Sequence, residues 1–532
     1  MRGPGIAMSA VIAVIGAVAA SACSSPDDPL TVDTTGGPVH GLRQDDSRAW
    51  LGIPFAAQPV GDLRWRPPQP APAFAGTYEA VAIQPQCPQS FGFSPGGGDE
   101  GCLFLNVWAP STPPTSPAPV MVWFHGGAFI FGSGGDPYYS GRVLASRHGV
   151  LVVTVNYRLG PLGFLSHPAL AAENSGRSGN YGVLDQIAAL EWVRDNIAGF
   201  GGDPSRVTVW GESAGGLSAC IHYLSPKSRG LFHAVISESG LCAGDGVGEQ
   251  TPAEAEADGV TYATDVGCAG TGADALACLR AQDAFALVDA AGAPTTTEQL
   301  PGGLFFQDAN PLGWRPHVDG DLLTTTTAEA FAAGDYPPAP LLLGTNRDEG
   351  TFFVWSVIAK PARDEAEYRA ALARRFGAAA VDAVVAQYPL TSYATPSLAL
   401  AAVSADAFFV CPFRTTARLA SAAGAPVYLY SFQREPMNGL ITDGGVFHAS
   451  EIPFVFGIDE FPLGKVGPDG VPLSDAMMRY WTRFAATGDP DGGDDVAWPR
   501  FDAAGDQHLV LDLPIRADRG NRKAQCDFWD AL

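Results

Sequence analysis

Between residues 207 and 224 the chain passes without a break from a β-branched segment, Val207-Thr208-Val209-Trp210, through Gly211-Glu212-Ser213-Ala214-Gly215, into an apolar helical stretch at 216–224. A strand that turns within five residues into a helix does not fit a hairpin-built sheet. It is half of a β-α-β unit, and such units build parallel sheets covered by helices. Short apolar or β-branched runs at 120–124, 150–155, 234–237, 340–344 and 427–432 read as further buried parallel strands. Between two of these runs Val183, Ile187, Leu190, Val193 and Ile197 fall at three- and four-residue steps, the spacing of a helix that the segment 199–204 stops. The expectation is an α/β fold with a large, mostly parallel central sheet and helices on both faces. Ala-rich helical patterns at about 251–331 and 361–388 read as insertions laid over the sheet, the first opening with Thr251 as N-cap and Pro252 as first helical residue.

The turn carries chemistry as well as fold. A G-x-S-x-G turn between strand and helix lifts a serine hydroxyl to the sheet's carboxyl end, and the N–H of the next residue, here Ala214, can help hold an oxyanion. The segment Gly92-Phe93-Ser94-Pro95-Gly96 has the same pattern but no strand before it and no helix after it, and Pro95 has no N–H to give. Ser213 is therefore the candidate nucleophile and Ser94 is not. The remaining oxyanion donors are expected from His125-Gly126-Gly127-Ala128-Phe129, where glycines let the backbone approach the substrate oxygen. Gly126 and Gly127 are the candidate donors, each such N–H being worth about 2.7–4 kcal/mol to the transition state. His125 reads as a structural histidine holding that turn.

Hydrolases of this layout follow Ser with an acid and then a His. After the strand at 340–344 comes Thr345-Asn346-Arg347-Asp348-Glu349-Gly350, and spacing does not choose between Asp348 and Glu349. Beyond them stand His448 and His508. His508 lies in Gln507-His508-Leu509-Val510-Leu511, a late strand, whereas His448 ends the loop Gly444-Gly445-Val446-Phe447-His448 and is the better base.

Composition excludes other classes. The 532 residues are 46% hydrophobic and only 17% charged, the reverse of a disordered chain. A formal charge of −24 would repel a phosphate backbone, so nucleic acid is not an expected partner. The N-terminus reads as an export signal over 1–22: Arg2, an apolar run, then Ala20-Ser21-Ala22 as a cleavage pattern. Cys23 followed by Ser24-Ser25-Pro26-Asp27-Asp28 resembles a lipobox with a polar tether over 23–30, although Ala20 stands where a lipobox has Leu. Lipidation of Cys23, with membrane anchoring through it, is favoured over plain secretion. No later segment is expected to span a bilayer, and 31–532 reads as a single domain. Of nine cysteines, eight remain after Cys23, as an oxidising compartment allows. Short spacings pair Cys87 with Cys102 and Cys268 with Cys278, the first closing 15 residues for about 3 kcal/mol. Cys220 and Cys242 stay open between a bridge and plain core packing.

Several stretches together resemble the type B carboxylesterases, the family of cholinesterases and bacterial para-nitrobenzyl esterases, over nearly the whole mature length. They include Gly52-Ile53-Pro54-Phe55, Leu63-Arg64-Trp65, Cys102-Leu103-Phe104-Leu105-Asn106-Val107, the run at 200–204, Gly344-Thr345-Asn346-Arg347-Asp348-Glu349-Gly350, and the run from His448-Ala449-Ser450-Glu451 to Gly457. The resemblance implies an α/β-hydrolase fold with helical insertions over the active site, Glu349 as third triad member, His448 as base and Glu212 as a buried acid beside the nucleophile. It also implies a Cys411 to Cys526 bridge. The expected activity is hydrolysis of small to medium apolar carboxylic esters through an acyl-enzyme, with a small-molecule ester as partner and no cofactor or metal. Two other readings are a non-catalytic binding or adhesion protein on the same fold, disfavoured because Ser213, Glu349 and His448 are all present, and a lipase acting on longer chains.

Two departures stand out. The family usually has Glu-Asp-Cys where this chain has Glu100-Gly101-Cys102, so a salt bridge from that Asp is expected to be missing. No Trp lies between Cys87 and Cys102, where cholinesterases place a cation-binding one, which disfavours acetylcholine. Phe91, Phe93, Phe129, Phe131, Phe352 and Phe353 lie near the motifs and suit either an apolar pocket or the core.

Overall fold

A computed structural model describes residues 29–90, 98–240, 242–243, 250–291, 313–355, 361–437, 444–459 and 461–532. The leader, the tether through residue 28, Cys23, Phe91, Phe93 and Ser94 lie outside the described residues. Strands β1 (Thr31–Thr34), β2 (Gly37–His40) and β5 (Tyr78–Glu79) make a small separate sheet. The large sheet opens with β3 (Leu42–Gln44), β4 (Ser47–Pro54), β6 (Phe104–Pro110), β7 (Ala118–Phe124), β8 (Leu151–Val155) and β9 (Gly202–Glu212). It continues with β10 (Ala234–Glu238), β11 (Leu341–Asn346), β12 (Val427–Phe432), β13 (Gln507–Leu511) and β14 (Arg516–Arg519). The order is β14-β13-β12-β11-β10-β9-β7-β8-β6-β4-β3. From β13 to β8 every neighbouring pair is parallel, and antiparallel strands close both edges. The chain has the expected α/β-hydrolase architecture.

Alternation along the strands explains why the sheet is covered twice. In β7, Val120, Val122 and Phe124 enter one core, shared with Val209, Val235 and Leu343, while Met121 and Trp123 enter the other with Trp210, Ile236 and Leu342. The helices Tyr181–Asn196, Ala214–Leu224 and Cys411–Ala422 contribute to the first core, and Ile452–Phe456 and Val471–Thr487 to the second. Thr251 caps its helix in a reciprocal capping box with Glu254, with Pro252 behind it. Helices Pro252–Asp265, Ala273–Ala281, Ala284–Ala290 and Thr327–Ala333 occupy the first insertion, and Glu365–Phe376 and Val381–Gln387 the second.

Two local expectations need correction. β9 starts at Gly202, not Val207, because Gly202 already pairs with Ala118 across an irregularity that the apolar run does not reveal. Residues Pro396–Ala422 form one continuous helical stretch of 27 residues, long and apolar enough by length and composition to cross a membrane, where none was expected. Its apolar window is 78% buried inside the fold, so its hydrophobicity serves the core.

Order in the sheet places the site. β7 leads to β8 on one side and β9 leads to β10 on the other, so the connections leaving β7 and β9 diverge and a crevice opens beyond the carboxyl ends of these two strands, where ligands of open α/β sheets bind. Phe124 and Gly211 are paired across it. The residues that follow them are the oxyanion turn and Ser213.

Candidate active site

The elbow is built by the absence of side chains. A Cβ on Gly215 would overlap the Phe124 carbonyl oxygen, and one on Gly211 would overlap the Gly215 carbonyl. The chain therefore crosses itself where only glycine fits, and Ser213 between them is held at φ 56, ψ −120, a strained conformation for a residue with a side chain. Its N–H donates to the Glu238 carbonyl at 2.9 Å and its carbonyl accepts from Leu217 at 2.8 Å, which locks the turn between β10 and the following helix.

The oxyanion turn packs against this elbow. A Cβ on Gly126 would stand 2.8 Å from Glu212 Oε2 and 3.2 Å from Ser213 Cβ. Gly127, Ala128 and Phe129 have successive positive φ values of 109, 52 and 62. The N–H groups of Gly126, Gly127 and Ala214 donate to no backbone acceptor among the described residues. His125 holds the turn: its Nδ1 lies 2.7 Å from the Gly126 carbonyl and its ring stacks on Tyr157 at 4.3 Å. Burial pushes this imidazole down to about 4, so it stays neutral. Tyr157 donates to the His125 carbonyl at 2.6 Å. Gln89, inside the Cys87–Cys102 loop, clamps Gly132 through both its N–H and its carbonyl.

The choice between the two carboxylates is made by their contacts. Glu349 is fully buried and takes His448 Nδ1 on Oε2 at 2.6 Å. Its other oxygen accepts from Ser239 Oγ at 2.5 Å and from the Asn346 N–H at 2.7 Å. Asp348 faces the other way, paired with Arg347 and accepting the Val446 N–H at 2.9 Å, so it fastens the loop that delivers the histidine. His448 Nε2 then lies 3.1 Å from Glu212 Oε1, on the residue before Ser213. His508 sits in β13, away from this cluster, as its sequence context suggested.

Beneath the histidine is a chamber that the sequence reading did not foresee. Glu212, Glu238 and Glu451 are all buried. Glu238 accepts from Trp481 Nε1 at 2.7 Å and from the Trp210 indole, and Glu451 accepts from Asn346 Nδ2 at 2.5 Å. Burial, then the neighbouring charges of Glu349 and Glu238, holds Glu212 well above the usual carboxylate range. Glu451 is raised in the same way, by burial and then by Glu212, Glu238 and Glu349. Glu238 is pushed up to about 7 by burial, against the pull of its two indole donors. Ser239, Asn346, Glu238 and Glu451 were missed because they carry no motif of their own, although Glu451 and Asn346 lie inside motifs already singled out.

Phe353 and Phe409 stack at 5.6 Å and each stands 5.1 Å from the His448 ring. Both are buried, as is Phe129, whereas Phe131 and Phe352 keep partial exposure and remain candidates to line a pocket. The structure joins Cys87 to Cys102, Cys268 to Cys278 and Cys411 to Cys526, and it also joins Cys220 to Cys242, tying the helix behind Ser213 to the chain after β10. At Glu100 a bidentate pair with Arg64 is present, so this corner keeps an ion pair without an Asp at 101. Among the described residues no group of three His, Cys, Asp or Glu side chains is arranged to hold a metal ion.

A model of the carboxylesterase family matches residues 28–529. The chain belongs to the type B carboxylesterase/lipase family. It is 39% identical over 512 residues to a fumonisin B1 esterase of Sphingopyxis macrogoltabida, covering 93% of this chain and 88% of that one. It is 34% identical to the para-nitrobenzyl esterase of Bacillus subtilis (strain 168), over 93% and 97% of the two chains. To an acetylcholinesterase of Bungarus fasciatus it is 33% identical, over 94% and 86%. The protein is thus an enzyme of the serine-hydrolase type, a carboxylesterase in the general sense of its family.

Proposed function

We propose that this carboxylesterase hydrolyses esters of small to medium apolar acyl or alcohol groups through a covalent acyl-enzyme on Ser213. The observation that carries the reading is His448 held between Glu349 at 2.6 Å and Glu212 at 3.1 Å, at the elbow that strains Ser213. His448 takes the Ser213 proton while Oγ attacks the ester carbonyl, and the N–H groups of Gly126, Gly127 and Ala214 receive the oxyanion. Glu349 fixes the imidazole tautomer and stabilises its positive form. The proton passes to the departing alcohol. Water, deprotonated by His448, then releases the carboxylic acid.

Hydrolysis of para-nitrophenyl acetate, butyrate and palmitate tests this, with Ser213→Ala and Ser94→Ala beside the wild type, all carrying Cys23→Ser for solubility. The expected outcome is a burst on the short esters, abolished in Ser213→Ala and retained in Ser94→Ala, with little turnover of palmitate. Wild-type rates no faster than Ser213→Ala on every ester would end the reading. Fumonisin B1 belongs in the same series, since the relative sharing 39% identity is named for its hydrolysis. We further propose export with a lipid on Cys23, which the Ala20-Ser21-Ala22 pattern and four disulfides support. Acyl labelling lost in Cys23→Ser is the check.

A further inference from the structure

Each oxyanion donor is one end of a peptide group whose other end is a carbonyl. The peptide is planar and trans, so its N–H and C=O point in opposite directions, and whatever holds the carbonyl also aims the N–H. The Gly126 N–H shares its peptide with the His125 carbonyl, and the Gly127 N–H shares its own with the Gly126 carbonyl. The Ala214 N–H is paired in this way with the Ser213 carbonyl, which the Leu217 N–H holds at 2.8 Å inside the helix Ala214–Leu224.

The carbonyls of His125 and Gly126 have no helix to hold them, and a buried side chain serves each one. The Tyr157 hydroxyl donates to the His125 carbonyl at 2.6 Å. His125 Nδ1 stands 2.7 Å from the Gly126 carbonyl. A carbonyl can only accept, so Nδ1 carries the proton, and Nε2 has no hydrogen-bond partner among the described residues. The two rings stack at 4.3 Å and both are buried. Burial keeps the imidazole neutral and holds the phenol well above its ordinary range, so both side chains keep the hydrogen they donate.

Tyr157 also belongs to a segment that grips the oxyanion turn along its length. Just beyond β8, Asn156 Oδ1 accepts the Gly134 N–H at 2.9 Å. Tyr157 takes the His125 carbonyl, and the Gly160 N–H donates to the Phe129 carbonyl at 2.7 Å. Gly126 and Gly127 give the turn few restraints of its own, so its shape must come from contacts such as these.

We propose that Tyr157 is a positioning residue for the oxyanion hole: by holding the His125 carbonyl, its hydroxyl aims the Gly126 N–H at the place the substrate oxygen occupies once it is charged. His125 does the same for the Gly127 N–H through the Gly126 carbonyl. Neither side chain moves a proton in the reaction. They act on the transition state only through the direction of the backbone donors.

The inference rests on the serine-esterase reading, and Tyr157→Phe, which removes the hydroxyl and keeps the ring, tests it. The oxyanion forms both when Ser213 attacks the ester and when water attacks the acyl-enzyme. Burst and steady-state turnover of para-nitrophenyl butyrate should therefore both slow, with kcat falling and KM little changed. Loss of a whole donor costs about 10²–10³ in kcat, and a donor that remains but is no longer held is expected to cost about tenfold or more. An alkyl trifluoromethyl ketone reports the same hole: Ser213 Oγ adds to its carbonyl carbon, the hydroxyl proton passes to His448, and a hemiketal oxyanion is left. Its affinity should weaken by the same factor as kcat/KM, a link that a general loosening of the core, seen as a lower Tm, would not produce. A kcat within about twofold of the wild type, or a lower kcat with ketone affinity unchanged, overturns the proposal. Should Tyr157→Phe fail to fold, His125→Phe keeps the ring stack and removes the other donor, and the same paired losses are required of it. If Ser213-dependent turnover is absent, the esterase reading falls, and a crystal structure of Tyr157→Phe still decides this inference. The peptide between His125 and Gly126 is expected to be turned or to take two orientations, and an unchanged plane overturns the proposal.

Discussion

The oxyanion turn and the carboxylate chamber flank the Ser213 elbow and reach their geometry by opposite means. At the end of β7 the work is done by backbone, and side chains are excluded: Gly126, Gly127, Gly211 and Gly215 stand where a Cβ would overlap or crowd a neighbour. In the chamber the work is done by long polar side chains, driven into a space where each needs a proton or a donor to be tolerated. Backbone donors are fixed in place and cost no reorganisation when charge develops. Carboxyls can move charge among themselves. The first region should therefore respond to substitution steeply and independently of pH, and the second gently and with strong pH dependence.

A steep response that does not depend on pH is expected at Gly215. Gly215→Ala sets a methyl on the Phe124 carbonyl, so either β7 or the elbow must move, and with it the Ser213 hydroxyl and the Gly126 and Gly127 donors. Loss of one oxyanion donor alone costs about 10²–10³ in kcat. We expect kcat/KM on para-nitrophenyl butyrate to fall by at least about 10³ at every pH, measured alongside circular dichroism to show that the sheet survives. A fall of less than tenfold would mean that this contact does not set the oxyanion geometry.

Asp348 and Glu349 sharpen the contrast because they are neighbours with unlike tasks. Glu349→Gln leaves the imidazole without its anion and is expected to lower kcat by about 10⁴, as loss of the orienting carboxylate does in serine hydrolases. Asp348→Asn keeps an acceptor for the Val446 N–H and loses the charge paired with the exposed Arg347, so kcat should stay within about tenfold and thermal stability drop by about 1 kcal/mol or less. Equal losses in the two variants would undo the assignment of roles.

These cases mark what a sequence alone reveals. The strand-turn-helix around Ser213, the turn at Gly126 and the buried runs of β8, β10, β11 and β12 are local patterns, written in consecutive residues with a period of two or a fixed offset. The resemblance of extended motifs named Glu349, which spacing had left level with Asp348. The structure adds the reason, since one carboxyl turns to His448 and the other to the loop backbone. Nothing local revealed that Glu238, Glu451, Trp210, Trp481 and Tyr430 meet, because they come from five separate segments and are joined only by sheet register and helix packing. The 27-residue stretch Pro396–Ala422 is another such case: the sequence reading expected no segment long and apolar enough to cross a membrane, and the fold shows both that helix and the core that surrounds it.

The mildest effect expected is one of stability, and it separates the two regions by pH. In the unfolded chain Glu238 gives up its proton in the ordinary carboxylate range, whereas in the native protein it does so only at about 7. Between those values the unfolded state binds fewer protons than the native one, so this residue makes stability fall as pH rises. The penalty is absent in acid, grows through that window and is complete above about pH 7, where it amounts to something on the order of 3 kcal/mol. Glu238→Gln cannot ionise and escapes it. The variant should therefore gain on the wild type as the buffer is changed from pH 4.5 to pH 8, by about 3 °C in Tm for a chain of this size. Gly127→Ala, in the oxyanion turn, should lose stability by the same amount at both pH values, because its strain involves no proton. A constant gap between Glu238→Gln and wild type would show that the chamber carries no proton on Glu238 at acidic pH, and a gap that varied for Gly127→Ala would show that the two regions are not separable.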